Sequence, residues 1–206
     1  MIKIHQIEPL SIDTELQQYY KNVSFRNGFD LKIWDNRPSE TSEIIARCKD
    51  ADVIIVSNIP FGKQILDKLP NLKMISVAFA GVDHIDTEEC HKRNIIVKNA
   101  AGYSTHSVAE LTIGMIISLL RDIAPNASKT LNGEGRNSYT GIELYQKTIG
   151  IIGMGKIGQE VARLCNAFGC KVIAWSRTRK QIPTVQFRTL KQVLENSDVV
   201  TLHVPL

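Results

Sequence analysis

The fold of this chain is decided by one stretch, TIGIIGMGKIGQEVARLCNAFG, at Thr148–Gly169. It opens with an apolar run that predicts a strand, passes through a glycine-rich turn, and continues with apolar residues at helical spacing. This order is typical of a dinucleotide-binding βαβ unit, in which the helix N-terminus offers free N–H groups to a pyrophosphate. A purely structural glycine turn is the alternative. The predicted cofactor-binding residues of the turn are Gly153, Met154, Gly155, Lys156, Ile157 and Gly158.

The residues after the next predicted strand, Lys171–Trp175, bear on which dinucleotide would bind. An acidic residue about 20 positions beyond the glycines favours NAD, because it hydrogen-bonds the ribose hydroxyls. This chain has Ser176 there, followed by Arg177 and Arg179, and guanidinium groups bind phosphate in a bidentate manner. The pattern therefore favours NADP over NAD, with both kept open. A solvated basic loop that touches no ligand is the alternative.

The composition is that of a soluble globular protein. The 206 residues are 43% hydrophobic and carry a formal net charge of +4, without a dense basic run, so we expect no nucleic-acid partner. The sequence shows neither a secretory signal nor an apolar run long enough to cross a bilayer, so we expect no membrane association. The four cysteines lack metal-ligand spacing, and we expect free thiols, no metal site and a cytoplasmic location.

Strands alternating with helices precede the glycine turn and predict a parallel sheet. The predicted strands are 2–7, 29–34, 52–57, 72–79 and 94–98, and the predicted helices are 39–49, 63–69 and 86–92. One long connector helix is predicted at 105–131. The predicted fold class is α/β, with two Rossmann-like or flavodoxin-like parallel-sheet domains at 1–101 and 102–206. The second is a doubly wound dinucleotide-binding domain that is incomplete in this chain.

Four segments together resemble a known family. They are AGVDHID at 80–86, NAAGYSTHSVAE at 99–110, GIELYQKTIG at 141–150 and SDVVTLHVPL at 197–206. They are similar to four motifs, in the same order, of the D-isomer specific 2-hydroxyacid dehydrogenases, which include glyoxylate and hydroxypyruvate reductases. The resemblance spans about residues 72–206. It implies an oxidoreductase acting on CH–OH groups, which transfers a hydride between NAD(P)H and a small 2-oxoacid or 2-hydroxyacid.

The resemblance also implies roles for individual residues. Backbone N–H groups at Ala80 and Gly81 would bind the substrate carboxylate, and Tyr103 would lie near the substrate. A simple turn glycine and a half-buried packing tyrosine are the alternatives. The implied contacts with the cofactor are Ser107 and Val108 near the nicotinamide, and His203, Val204 and Pro205 beside the adenosine. Val204 and Pro205 lie at a strand end, where apolar residues usually belong to the hydrophobic core.

The chain departs from the family pattern at a hinge position and at a position that bears on the substrate. Ala101 replaces the usual proline. The segment at 57–60, SNIP, has no arginine, whereas phosphoglycerate-type members tend to carry one that would hold a phosphate. We therefore expect a small, unphosphorylated acid such as glyoxylate or hydroxypyruvate.

The family's catalytic arginine, glutamate and histidine lie beyond the SDVVTLHVPL strand, and the sequence stops at Leu206. Neither His84 nor His106 has an obvious acid in the sequence to orient it, so no catalytic residue is assigned. We expect a C-terminally truncated fragment that is itself inactive. Residues 198–204 would then form an unpaired apolar sheet edge. A non-catalytic nucleotide-binding or interaction module of the same family is the alternative.

The segment 105–131 also bears on the oligomeric state. The resemblance implies a homodimer formed through this helix. Its apolar periodicity equally suits a helix that packs within one domain.

Overall fold

The computed structural model describes residues 1–134, 140–178 and 180–204. The chain divides into two compact units, Met1–Tyr103 and Ser104–Leu206. Each unit has its own parallel sheet and its own cluster of buried apolar side chains. The α/β class with parallel sheets, predicted from the alternation of strands and helices, is confirmed.

The first unit is a five-stranded sheet with helices between its strands. The elements are β1 (Ile2–Gln6), α1 (Thr14–Arg26), β2 (Phe29–Ile33), α2 (Thr41–Cys48), β3 (Val53–Val56), α3 (Lys63–Leu66), β4 (Met74–Val77), α4 (Thr87–Lys92) and β5 (Ile96–Asn99). All strands pair in parallel in the order β2-β1-β3-β4-β5. This is the flavodoxin-like order. The carboxyl ends of the strands, and the loops that follow them, therefore meet at one edge of the sheet.

The strand order of the first unit reverses between β1 and β3, and such a switch point is where doubly wound sheets place a ligand crevice. Here a carboxylate of the chain lies at this point. The Glu8 side chain is only 3% exposed and lies 3.6 Å from the Arg37 guanidinium. It accepts hydrogen bonds from the Ser57 and Asn58 N–H groups at 2.6 and 3.1 Å. The chain itself thus satisfies the main-chain donors that follow β3.

The second unit is built around the glycine turn. Its elements are α5 (Thr105–Arg121), α6 (Ile123–Leu131), β6 (Thr148–Ile152), α7 (Lys156–Ala167), β7 (Lys171–Trp175), β8 (Gln186–Phe187), α8 (Leu190–Asn196) and β9 (Val199–Leu202). The strands pair in parallel in the order β8-β7-β6-β9. This is the order of the first four strands of a Rossmann fold, with its switch point between β6 and β9.

Helices cover both faces of the second sheet. Ile149 and Ile151 of β6 belong to the buried cluster that contains Val161 of α7. Ile152 belongs to a separate cluster with Val193 of α8. Because successive side chains of a strand point to opposite faces, α7 and α8 lie on opposite sides of the sheet. The strand–turn–helix order predicted from Thr148–Gly169 is present as β6, the turn and α7.

The single connector helix predicted at 105–131 is wrong in one respect, because two helices occupy this segment. Helix α5 ends at Arg121, and Asp122 takes a left-handed conformation with φ of 53° before α6 begins. Pro125 explains the break. It has no N–H to donate to the carbonyl of Arg121, and its ring would collide with that carbonyl in a continuous helix. Aspartate is one of the few residues that adopt the left-handed conformation readily.

Three elements of the structure, α1, β8 and α8, have no counterpart in the sequence prediction. Helix α1 contains no buried residue, and its aromatic side chains Tyr19, Tyr20 and Phe25 are exposed. Without a buried apolar stripe, the helical period is hard to recognise in the sequence. Its N-cap was a usable signal, since the Asp13 carboxylate accepts a hydrogen bond from the Leu16 N–H at 2.7 Å.

Gly150 in β6 lies where α8 approaches the sheet most closely. A Cβ at this position would lie 2.1 Å from Ser197 Oγ and 2.8 Å from Val193 Cγ1. We therefore expect Gly150→Ala to lower the free energy of unfolding of the second unit by about 1–3 kcal/mol. The chain has two tryptophans, so a Trp34→Phe background leaves Trp175 of β7 as the reporter. Urea unfolding followed by its fluorescence measures the change.

Gly114→Ala is the matched control. No atom lies within 4 Å of a Cβ at Gly114, and alanine in place of glycine inside a helix stabilises by roughly 0.5–1 kcal/mol. The same urea midpoint for Gly150→Ala and its parent would contradict the close packing of α8 on β6.

Candidate functional site

The turn between β6 and α7 presents main-chain donors at a helix N-terminus. Gly155 is the N-cap of α7, and because glycine has no side chain it cannot cap the helix with one. The N–H groups of Lys156, Ile157 and Gly158 have no acceptor among the described residues. Together with the positive end of the helix dipole, these donors form an anion-binding position.

The three glycines of the turn meet different constraints. Gly153 has a φ of 101°, and a Cβ there would lie 2.3 Å from the His203 carbonyl oxygen. A Cβ on Gly158 would lie 2.0 Å from the Gly153 carbonyl oxygen. Gly155 has nothing within 4 Å of such a Cβ. The first and third glycines therefore allow backbone segments to pack closely, and the second faces open space where a side chain would obstruct a ligand.

A crevice of about 680 Å³ opens beside this turn. It is lined by Gly153, Met154, Gly155, Trp175, Ser176, Arg177, Thr178, Lys180, His203 and Val204. The structure thus brings together the glycine turn, the loop after β7 and the end of β9. Lys156, Ile157 and Gly158 of the predicted turn are not among the lining residues. Trp175, Thr178 and Lys180 were not predicted as site residues. Arg179 and Pro205, which were, lie outside the described residues.

The loop after β7 gives the crevice a basic wall. Arg177 and Lys180 are exposed and line it, and no carboxylate occurs among its described lining residues. The Ser176 hydroxyl donates to the Thr178 carbonyl oxygen and so ties the loop to itself. The oxygen of that hydroxyl remains able to accept a further hydrogen bond.

His203 forms the opposite wall of the crevice. Its Nε2 lies 3.0 Å from the Thr201 hydroxyl oxygen, and burial lowers the pKa of the imidazole below its ordinary value of 6.5. The ring is therefore neutral at pH 7. This wall of the crevice contributes shape and hydrogen bonding rather than charge.

Ser107 and Val108 occupy the first turn of α5. The Ser107 hydroxyl donates to the Ser104 carbonyl oxygen at 3.1 Å. Neither residue is among those that line the crevice. The structure therefore does not bring these two predicted nicotinamide contacts into the cavity that holds the glycine turn.

His106, in the same turn of α5, has an acidic partner that was not apparent in the sequence. Its Nδ1 lies 3.1 Å from Glu160 Oε1, and Glu160 also accepts hydrogen bonds from Arg163 at 2.7 and 3.0 Å. The Arg163 hydrogen bonds, followed by that of His106, lower the pKa of Glu160 to about 2. This ionised carboxylate links α5 to α7.

The loop after β4 in the first unit holds the residues predicted to bind a substrate carboxylate. Ala80 and Gly81 are half-buried, and the Asn99 side-chain amide donates to the Ala80 carbonyl oxygen. Tyr103 is 61% exposed, and its ring centroid lies 6.4 Å from that of Phe79. The His84 Nε2 atom is buried without a hydrogen-bond partner among the described residues.

The cysteines and the candidate metal ligands of the described residues also bear on what the chain can bind. All four cysteines are buried free thiols, and burial raises the pKa of both Cys48 and Cys165 to about 12. Within the described ranges, no group of three or more His, Cys, Asp or Glu side chains is placed to hold a metal ion. None of the described helices is long and apolar enough to span a bilayer.

Known proteins resemble this chain along most of its length. A family model described as D-isomer specific 2-hydroxyacid dehydrogenase, catalytic domain, matches residues 7–201. A D-3-phosphoglycerate dehydrogenase of Methanocaldococcus jannaschii is 37% identical over 171 residues, which covers 80% of this chain and 33% of that protein. A glyoxylate reductase of Thermofilum pendens is 35% identical over 188 residues, which covers 86% of this chain and 55% of that protein.

The chain is also similar to a solved structure. An acyclic imino acid reductase, Bsp5, in complex with NADPH and D-Arg superposes with a TM-score of 0.89 at 26% identity. That match covers all of this chain and 66% of the other chain. The chain therefore spans between a third and two-thirds of the length of these three proteins.

The pKa of Glu160 tests the link between α5 and α7. We expect Arg163→Gln to raise it from about 2 towards its ordinary value of 4.5, and His106→Gln to raise it less, because the Arg163 hydrogen bonds are the larger cause. Titration of the side-chain carboxyl by ¹³C NMR measures both shifts. Since the folded-state pKa lies below that of the unfolded chain, this carboxylate stabilises the unit above about pH 4.5, and the effect is lost as the pH falls towards 2. A larger shift in His106→Gln than in Arg163→Gln would contradict this assignment.

Proposed function

Since this chain belongs to the D-isomer specific 2-hydroxyacid dehydrogenase family, we propose that its second unit binds NAD(P)H for hydride transfer to a small 2-oxoacid. The observation that carries the proposal is the turn after β6, where the first N–H groups of α7 have no acceptor among the described residues and open space adjoins Gly155. When bound, the cofactor would supply the hydride, and the chain would bind and orient it. We likewise propose that the whole protein oxidises NAD(P)H and reduces the 2-oxoacid.

The turn fits a pyrophosphate. Gly155 is the N-cap of α7 and has no Cβ, and nothing lies within 4 Å of the position that a Cβ would take. The start of the helix therefore has room for a ligand beside it. The other residues proposed to hold the dinucleotide are Gly153, Met154 and Gly158 at the turn, His203, Val204 and Pro205 beside the adenosine, and Ser107 and Val108 towards the nicotinamide. On this basis residues 102–206 form the cofactor-binding domain and 1–101 the substrate-binding domain.

We propose a preference for NADP(H) over NAD(H). Arg177 and Lys180 line one wall of the crevice. Ser176 occupies the position at which NAD-binding proteins carry an acidic residue, which would repel a 2′-phosphate. Arg179 extends the same basic stretch in the sequence. Two or three cations around one phosphate dianion would favour the phosphorylated cofactor.

For the substrate we propose a small, unphosphorylated 2-oxoacid such as glyoxylate, held by the main chain at Ala80 and Gly81 with Tyr103 nearby. The segment after β3 has no arginine to bind a second anionic group. Its first two N–H groups are already occupied by Glu8. None of the five histidines stands at a position that the family resemblance assigns to proton transfer, so these 206 residues alone are proposed to bind the cofactor without turnover. We propose a reducing, cytoplasmic location, because all four cysteines are buried free thiols.

Arg177→Ala tests the cofactor preference. We expect the Kd for NADPH to rise about tenfold or more, because a hydrogen bond to a charged phosphate is lost, and the Kd for NADH to change by less than about twofold. Trp175 lines the crevice, so quenching of its fluorescence in a Trp34→Phe background measures both titrations. With glyoxylate added, we expect no oxidation of NADPH by the 206-residue chain.

Arg188→Ala is the matched control, because Arg188 lies in the same unit outside the crevice and donates to Gln186. An unchanged preference in Arg177→Ala would remove the argument for a 2′-phosphate. Absence of quenching by both reduced cofactors would contradict the nucleotide site itself.

We also propose that α5 pairs with its counterpart in a homodimer. Ala109, Ile113 and Ile116 face the core of the unit. Leu111, Met115 and Leu119 recur every four residues on another face and are 57–70% exposed. A two-fold axis across such a row places the same apolar surface on both sides of the interface.

Met115→Glu tests this interface. We expect it to convert a dimer into a monomer, because the substitution would bury two carboxylates against each other, and light scattering during size-exclusion chromatography measures the mass. Phe168→Glu is the control, since Phe168 is an exposed apolar residue of the same unit outside the row. A dimer that persists in Met115→Glu, or a monomeric parent chain, would exclude α5 as the interface.

A further inference from the structure

The end of β5 holds the loop that leaves β4. Asn99 is the last residue of β5 and pairs in register with Val77, the last residue of β4. Its Nδ2 donates a hydrogen bond to the Ala80 carbonyl oxygen at 2.5 Å. The next residue, Ala100, shares its N–H between the Val77 and Phe79 carbonyl oxygens, at 3.1 and 3.0 Å. Two consecutive carbonyl groups of the loop are therefore held by two consecutive residues of the neighbouring strand end.

The hydrogen bond from Asn99 fixes the direction of the Gly81 N–H. The carbonyl of Ala80 and the N–H of Gly81 belong to one peptide group, and in a trans peptide these two bonds point in opposite directions. No cis peptide bond occurs in the part of the chain that the structure describes. With the Ala80 carbonyl turned towards Asn99, the Gly81 N–H points away from β5. It has no acceptor within the described ranges.

The far end of the same loop is held independently. Phe61, which is fully buried, donates its N–H to the His84 carbonyl oxygen at 2.8 Å and accepts from the Asp86 N–H at 2.9 Å. The loop is therefore held by hydrogen bonds at both of its ends. The peptide between Ala80 and Gly81 remains the part whose orientation depends on a single side chain.

We infer that Asn99 is a positioning residue of the substrate-carboxylate site, because its amide turns the Gly81 N–H outward as a ready donor. The inference rests on the proposed function, which places a carboxylate at Ala80 and Gly81. The chemistry requires a donor at position 99. Aspartate has the same shape but, when ionised, would repel the Ala80 carbonyl, and leucine has a similar size without a polar group.

Asn99→Leu, Asn99→Asp and Asn99→Gln test this role in the 206-residue chain. The residual dipolar coupling of the Gly81 N–H reports its direction without any ligand, and a titration with oxalate, followed by the Gly81 amide signal, reports carboxylate binding. We expect Asn99→Leu and Asn99→Asp to change the coupling and to raise the Kd for oxalate about tenfold or more. We expect Asn99→Gln, which keeps the donor, to restore both in large part.

The melting temperature of each variant is measured alongside, because a purely structural role for Asn99 would change stability without altering the Gly81 signal selectively. The same coupling and the same oxalate affinity in Asn99→Leu as in the parent would overturn the inference and leave the proposed function intact. A coupling that depends on Asn99, with no response of the parent Gly81 amide to oxalate, would overturn the carboxylate site and with it the role of Asn99.

Discussion

The second unit depends on the close approach of main-chain atoms around the turn after β6. The Gly153 carbonyl lies against Gly158 of α7, and the His203 carbonyl lies against Gly153. Any side chain at these two glycines would push α7 and the end of β9 away from β6. Gly155, the N-cap of α7, lines the crevice in this same turn. The glycines that allow the sheet to pack are therefore in the same turn as the N–H groups proposed to bind the cofactor.

The sequence allowed prediction wherever neighbours along the chain decide the structure. The apolar run, the glycines and the helical spacing after Gly153 all lie within one segment, and β6, the turn and α7 follow that prediction. Ser176 and Arg177 line the same crevice as the glycine turn, because a Rossmann crossover brings the end of β7 to the end of β6. The break at Asp122 was also accessible, since Pro125 cannot continue a helix through Arg121.

Contacts between distant positions were beyond such reasoning. His106 and Glu160 are 54 residues apart, and Asn99 and Ala80 are 19 apart. Neither pair follows a helical or strand period, so the fold must be known before either contact can be seen. Helix α1 was missed for a different reason, because its exposed aromatic residues do not form a buried stripe. The absence of Ser107 and Val108 from the crevice lining likewise became apparent only in the structure.

Both sheets of this chain have a point where the strand order reverses, but the main-chain N–H groups near that point differ in whether they have an acceptor. In the second unit, the glycine turn leaves the first N–H groups of α7 without an acceptor among the described residues. In the first, Glu8 brings its own negative charge to the amides after β3 and is itself balanced by Arg37. A phosphate at the switch point between β1 and β3 would find these main-chain donors already bonded to the Glu8 carboxylate, whose charge Arg37 balances. One buried carboxylate thus makes two similar strand orders chemically unequal, because it occupies in the first unit the kind of main-chain donors that the second unit leaves without an acceptor among the described residues.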